Sequence, residues 1–346
     1  MSTRRRFLRH VLLGGAAALA PSVGCAEKKK KSGRKGYVVP RAPGYGSTAG
    51  PSGQARVVVV RSGDVIGKNH EINRARLWGM LELGLRRLTG KDPLAALGQW
   101  IRPVDTVGLK VNCLAGRQMS THRELAEALI GLLAKGGLPR NQCIVFDRSD
   151  LDLRRGGYPI QVDGRDYRCM GNDRAGYEQD LRVMPSGASR FSRIATRSAS
   201  VLVNLPVLKD HGIAGLSGAL KNNFGLVHNP NKFHLNGCDP HVAEVNSWDF
   251  VRNKQRLVIC DALRVQVEGG PAFQPAGAED HGAILLATDP VALDIVAWDL
   301  LEKLRARRKL PSLAKDRREP VHILTAARMG LGVGERTRIK VIEVKA

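Results

Sequence analysis

Six short apolar runs constrain what this chain can fold into. They lie at residues 57–60, 105–111, 143–146, 201–205, 257–260 and 284–287, and most are closed by a polar residue such as Asn112, Asp147 or Asp261. The runs are continuous rather than alternating, as a strand buried on both faces requires. Between them lie segments with helical spacing. Residues 72–88 place Leu77, Leu81, Leu85 and Leu88 on one face, and Thr121 precedes Glu124 by three, which reads as a capping box for a helix ending at Gly136-Gly137. Asp289-Pro290 starts another amphipathic helix, with Asp289 as the capping residue. Residues 215–222 and 242–251 read as further helices, 321–329 as a helix after Pro320, and 338–344 as a last, alternating strand. The rhythm predicts an α/β fold, a mostly parallel sheet flanked by helices. Residues 148–193 are polar, Gly-rich and broken, and read as an inserted subdomain of short antiparallel pieces and loops.

Where the charge sits decides what it means. The chain carries 55 Lys+Arg against 32 Asp+Glu, a net +23, which by itself favours an acidic partner. Ten of those basic residues and one acidic residue fall in the first 36 positions. There Arg4-Arg5-Arg6-Phe7-Leu8-Arg9 precedes a small, apolar run at 11–20, too short for a membrane span. This pattern resembles a twin-arginine export signal. It predicts 1–25 as signal, 26–55 as a basic and Pro/Gly/Ser-rich linker, and a folded body at 56–346. The expected location is the periplasm or the outer face of the cytoplasmic membrane, with the Tat export machinery as a partner. Ala18-Leu19-Ala20 fits a cleavage site, and Ser22-Val23-Gly24-Cys25 resembles a lipoprotein box in which lipidation of Cys25 would add membrane association. The basic run at 305–318 has few aromatic neighbours, so it reads as a solvated helix end, and nucleic acid is an unlikely partner.

Open α/β sheets bind ligands beyond the carboxyl ends of their strands. Lys110, Asn112, Asp147, Asn204, Lys209, Asp210, His211 and Asp261 all fall at such ends. The richest stretch, 202–241, holds His211, His228, His234 and His241, four of the nine histidines. Two uses of it stay open. His211, His234, Cys238 and His241 offer nitrogen and sulfur ligands for a transition metal, although their spacing matches no zinc signature. Alternatively Lys110, Asn204, Lys221 and Asn222 bind an anion, with Gly212, Gly215 and Gly218 letting backbone N–H groups approach it. The stretch lacks GxxxxGK[ST], which disfavours a nucleotide triphosphatase, and 330–334 has the wrong order of elements for a dinucleotide fingerprint. No CxxC pair exists, so there is no recognisable cysteine motif for an iron–sulfur cluster.

The stretch VNLPVLKDHGIAGLSGALKNNFG, with the later His of NKFHLNG, resembles the uncharacterised DUF362 family. Asp261-Ala262-Leu263, Gly269-Gly270-Pro271 and the run from Thr288 to Asp294 fit the same pattern, so the resemblance extends over about 57–344. It implies Lys209, His211, Lys221, Asn222, His234, Asp261, Asp289 and Asp294 as matching positions. Many members carry an attached ferredoxin-like domain with CxxCxxCxxxC runs, and this chain has none. The expectation is an exported metal- or cofactor-dependent enzyme of possible redox type, acting on an anionic substrate. His211, Lys209 and Asp261 would be its catalytic groups and His211 its general acid or base. The alternative is a non-catalytic binding protein for an anionic ligand, or an accessory protein docking on a redox partner.

Overall fold

Branched apolar side chains crowd a helix but fill both faces of a pleated surface, and the runs accordingly become the centre of one large sheet. The computed structural model describes residues 53–346; the expected export signal, Cys25 and nearly all of the expected linker lie outside that span. The strands, in chain order, are β1 (Ala55–Arg61), β2 (Val107–Lys110), β3 (Cys143–Asp147), β4 (Arg168–Gly171), β5 (Arg182–Met184), β6 (Gly187–Ser189), β7 (Val201–Asn204), β8 (Val207–His211), β9 (Gly215–Ser217), β10 (Gln255–Gln266), β11 (Ala278–Ala287) and β12 (Ile339–Lys345). The main sheet has the order β12-β1-β11-β10-β7-β2-β3-β4. Every neighbouring pair on that path is parallel except the two made by β11, so the sheet is mixed and mostly parallel.

Side chains alternate between two apolar layers, as period-two geometry demands. Val57, Val59, Ile144, Phe146 and Leu202 face one layer, closed by the helices His241–Ser247, Pro290–Arg307 and Val321–Arg328. Val58, Val60, Val107, Val145 and Val203 face the other, closed by Arg74–Thr89 and Arg123–Lys135. The first of these helices is capped by Asn73, whose side chain accepts from Arg76 N, and ends at left-handed Gly90. It lies so close to the sheet that a Cβ on Gly84 would come within 2.6 Å of Leu286 Cδ1, so a larger residue there would overpack the layer.

Four local expectations are corrected. Residues 215–222 are not one helix: Gly215–Ser217 forms β9, which folds antiparallel onto β8, and only Ala219–Asn222 is helical. The helix over 242–251 is broken at Trp248 into His241–Ser247 and Asp249–Lys254. Within 148–193, β5 and β6 pair antiparallel as expected of short pieces, but β4 joins the edge of the main sheet in parallel with β3. Thr121 caps nothing: its hydroxyl donates to Leu205 O, and His122 takes the capping position of the following helix.

β7 and β8 run one after the other along the same edge of β10, interrupted at Leu205-Pro206. Asp261 N donates to Pro206 O across that interruption at 2.8 Å. Beyond the break β8 continues along β10 and β9 folds back on it, and residues of both line one side of a cleft.

Candidate functional site

The carboxyl ends of β2, β3 and β8 meet the helix Ala219–Asn222 around a cleft of about 270 Å³. Lys110, Asn112, Asp147, Lys209, His211, Lys221, Asn222 and His234 all line it. Sequence reading thus finds most of this cluster, and the structure gives its members different work.

Lys110 is fully engaged. Its ammonium donates to Asp147 Oδ1 at 2.7 Å, Val111 O at 2.6 Å and Asn222 Oδ1 at 3.2 Å, with the lysine side chain 3% exposed. Asn222 in turn donates to Lys110 O and Asn204 Oδ1 and accepts from Asn112 Nδ2. Asn204 donates to Ala219 O and Gln255 Oε1 and does not line the cleft. These three predicted anion-binding residues therefore tie the strand ends to the short helix. Asp294, fully buried, accepts from Ala219 N and Leu220 N and fixes that helix from behind. Burial raises its pKa to about 7, against the pull of those two donors.

Lys209 and Lys221 differ from Lys110. They are 1% and 9% exposed, yet Lys209 Nζ donates only to Asn112 Oδ1 at 2.9 Å, and Lys221 Nζ lies 3.2 Å from His234 Nε2. Neither pairs with a carboxylate among the described residues. Burial lowers both ammonium pKa values to about 8. The Lys221 ammonium also stands over the Phe224 ring, 4.6 Å from its centroid.

The two cleft histidines are neutral and complementary. His211 Nδ1 accepts from the backbone N–H groups of Ile213 and Ala214 at 3.2 and 3.1 Å, which leaves the proton on Nε2. Burial, then Lys221, His234 and Lys209, push its pKa down to about 2. Such a ring donates a hydrogen bond and does not exchange a proton near neutrality. His234 Nδ1 lies 3.1 Å from Pro230 O, so this nitrogen carries the proton and Nε2 accepts from Lys221. The rings stack with centroids 5.7 Å apart.

The predicted metal ligands do not converge. His211 spends Nδ1 on the backbone, and His241 Nδ1 faces Ser186 Oγ at 2.6 Å. Cys238 is buried without lining the cleft, and burial raises its thiol pKa. Among the described residues no group of three or more His, Cys, Asp or Glu side chains could hold a metal ion. Asp261 is also absent from this cleft: it is wholly buried beneath His122, with which it shares hydrogen bonds. Gly215 serves the protein rather than a ligand, since its φ is +74° and a Cβ there would lie 1.9 Å from Arg318 O.

The basic run at 305–318 is not simply solvated. Arg305 is fully buried and donates to Val267 O, Pro311 O and Asp316, while Arg318 donates to Asp210 Oδ1 and Asp316 Oδ2. Asp210 is thereby held by arginine behind the hairpin of β8 and β9. The five cysteines of the described residues are all free and buried.

Fold and site together define an α/β protein with a lysine-lined cleft beyond the carboxyl ends of parallel strands. The family described as "Domain of unknown function (DUF362)" matches residues 107–299, more than half of the chain, and the chain belongs to it. It is similar to the thylakoid-associated protein sll1697 of Synechocystis sp., 27% identical over 236 residues that span 65% of this chain and 71% of that protein. A crystal structure of a Thermotoga maritima protein matches 66% of this chain at 12% identity with a TM-score of 0.36. The match spans 59% of that chain.

Proposed function

We propose that the cleft binds a small anionic molecule between Lys209 and Lys221, and that Lys209 exchanges a proton with it. One observation carries the reading: two lysines buried in one cleft without carboxylate partners. Burying an unpaired ammonium is costly, so a site that keeps two of them is built for charge supplied from outside. The neutral Nε2–H of His211 adds a fixed donor, and Asn112 holds the Lys209 ammonium by its oxygen. An ammonium with a pKa near 8 shifts between its two protonation states close to neutral pH, as proton transfer to or from a bound substrate needs. The reading is therefore an acid–base enzyme or binder acting on an anionic ligand, without a metal held by His211, His234, Cys238 and His241.

Export through the twin-arginine pattern at Arg4-Arg5-Arg6 remains part of this proposal, with Cys25 as an optional lipid anchor. The description of one relative as thylakoid-associated supports a place at a membrane surface. No helix among the described residues is long and apolar enough to cross a membrane.

Calorimetric titration of the purified full-length protein with sulfate, a dianion of constant charge, tests the binding claim. Heat that disappears in Lys209→Met/Lys221→Met supports it. Heat that survives unchanged in that variant, or no heat in the wild type, overturns it. Replacing Arg4 and Arg5 by Lys tests the address, because secretion unaffected by that change sinks the twin-arginine reading.

A further inference from the structure

A second cavity of about 630 Å³ lies beside the N-terminus of the helix Arg123–Lys135 and shares no lining residue with the lysine cleft. His122 stands in its wall. The backbone N–H of His122 donates to Asp261 Oδ2 at 2.7 Å, and its ring Nδ1 lies 2.8 Å from the same oxygen. Asp261 is 0% exposed and its other oxygen accepts from Leu263 N, so the carboxylate is fixed on both sides. A buried carboxylate in this position holds the imidazole in one tautomer, with the proton on Nδ1 and the lone pair on Nε2. Nε2 is the ring nitrogen left for the cavity.

The cavity's charges indicate which ligand suits it. Arg74 pairs with Glu124 and Glu127, Arg123 with Glu127, and Arg264 with Asp280 and Gln118. Arg117 lines the same cavity and has no carboxylate partner among the described residues. The backbone N–H groups of Arg123 and Glu124, at the start of a 13-residue helix, have no acceptor there either. A cation without a partner, two open N–H groups and a protonatable ring on one wall suit an anionic oxygen group.

We propose that this cavity is a second ligand site, taking a small molecule whose phosphate or carboxylate group is contacted by His122 and Arg117, with Asp261 as the positioning residue of His122. The proposal is independent of the lysine cleft. Sequence reading placed Asp261 among the catalytic groups; here it acts through the histidine. Besides Asp261, the charged and titratable groups facing His122 are Glu124 and Arg123 on its own helix, Arg264 on β10 and Arg117 in the preceding loop. His70, Glu71, Arg74 and Asp280 complete the charged wall. Burial alone would pull the His122 pKa down, but the Asp261 charge and hydrogen bond, helped by Glu124 and opposed by Arg264, leave it raised.

The test follows the ring ¹⁵N signals of histidine-labelled full-length protein against pH, with the His122 signal assigned by its loss in His122→Gln. Sulfate and malonate serve as tetrahedral and carboxylate probes. The expected result is that at least one probe moves the His122 signal and raises its titration midpoint by about half a pH unit. Arg117→Ala, a change at an exposed side chain, should weaken that response about tenfold. Lys209→Met should leave it intact. Asp261→Asn should lower the midpoint without probe, a readout that a purely structural carboxylate would not move. A His122 midpoint unchanged by saturating amounts of both probes overturns the proposal, as does a response that Arg117→Ala leaves intact.

Discussion

The two cavities hold buried or partly buried ionisable groups and treat them in opposite ways. In the lysine cleft, Lys209, Lys221 and His211 lack carboxylate partners, and all three pKa values fall. In the second cavity, Asp261 lies directly under His122, and that pKa rises. Burial acts in the same direction on all four groups, against the charged form. The difference comes from the local carboxylate. Within the lysine cleft the same contrast recurs on a smaller scale, because Lys110 has Asp147 and its two lysine neighbours have no such partner. Lys110 with its partner ties strand ends together, whereas Lys209 and Lys221 stand in the cleft with no carboxylate beside them among the described residues.

The largest expected effect breaks the paired lysine. Lys110→Met leaves the Asp147 carboxylate, which is 8% exposed, without its ammonium, and urea denaturation should show a loss of about 3–5 kcal/mol. The comparison fails if Lys110→Met is neutral. Lys209→Met should act in the opposite direction. Removing an ammonium whose pKa burial has lowered to about 8 should raise stability at pH 7 by roughly 1–3 kcal/mol while weakening sulfate binding at least about tenfold.

The pH dependence of the cleft follows from the same shifts. Sulfate requires the protonated lysines, so its affinity should be flat below about 8. Above that pH it should fall by about tenfold per unit for each lysine that must hold its proton. Affinity that is constant up to pH 10 would place the anion elsewhere.

The smallest effect concerns the histidine pair, and its sign is opposite. The His122 pKa is raised above its ordinary 6.5, so the pair's contribution to stability is fully present below 6.5 and is lost as pH rises through the higher folded value. Asp261→Asn should remove that slope, so that acid and neutral denaturation curves no longer differ through this pair.

The central strands were legible because continuous branched apolar runs permit few other structures, and both faces of β2, β3 and β7 are in fact covered. β4 was hidden because Arg168 and Met170 on it are only half-buried, the mark of an edge strand in a polar segment. β9 was read as helix because three residues show no period, and its turn depends on Gly215 meeting the Arg318 carbonyl, a contact 103 residues away in the chain. The lysine cleft was legible as a cluster, since Lys209, Lys221 and His211 fall at strand ends or in one short stretch. Which lysine had a partner was not legible, because Asp147 lies on β3, remote in sequence from Lys110 on β2, Lys209 on β8 and Lys221 on the helix Ala219–Asn222 alike. The Thr121–Glu124 spacing satisfied the capping pattern and drew attention from His122 between them. The signal for His122 was its position, in the loop that follows a central parallel strand.

β10 is the strand that links residues at both cavities. Asp261 on it orients His122, and its Gln266 pairs with Lys209 of β8. Its outer half is bracketed by β8 on one edge and β11 on the other. That bracing ties the two cavities together at one remove: Arg264 of β10 lines the second cavity, and Lys209, which β10 carries as a paired neighbour on β8, lines the lysine cleft. Filling either one should slow hydrogen exchange at the same amides of residues 261–266, so a single set of protected positions would report on two different occupants.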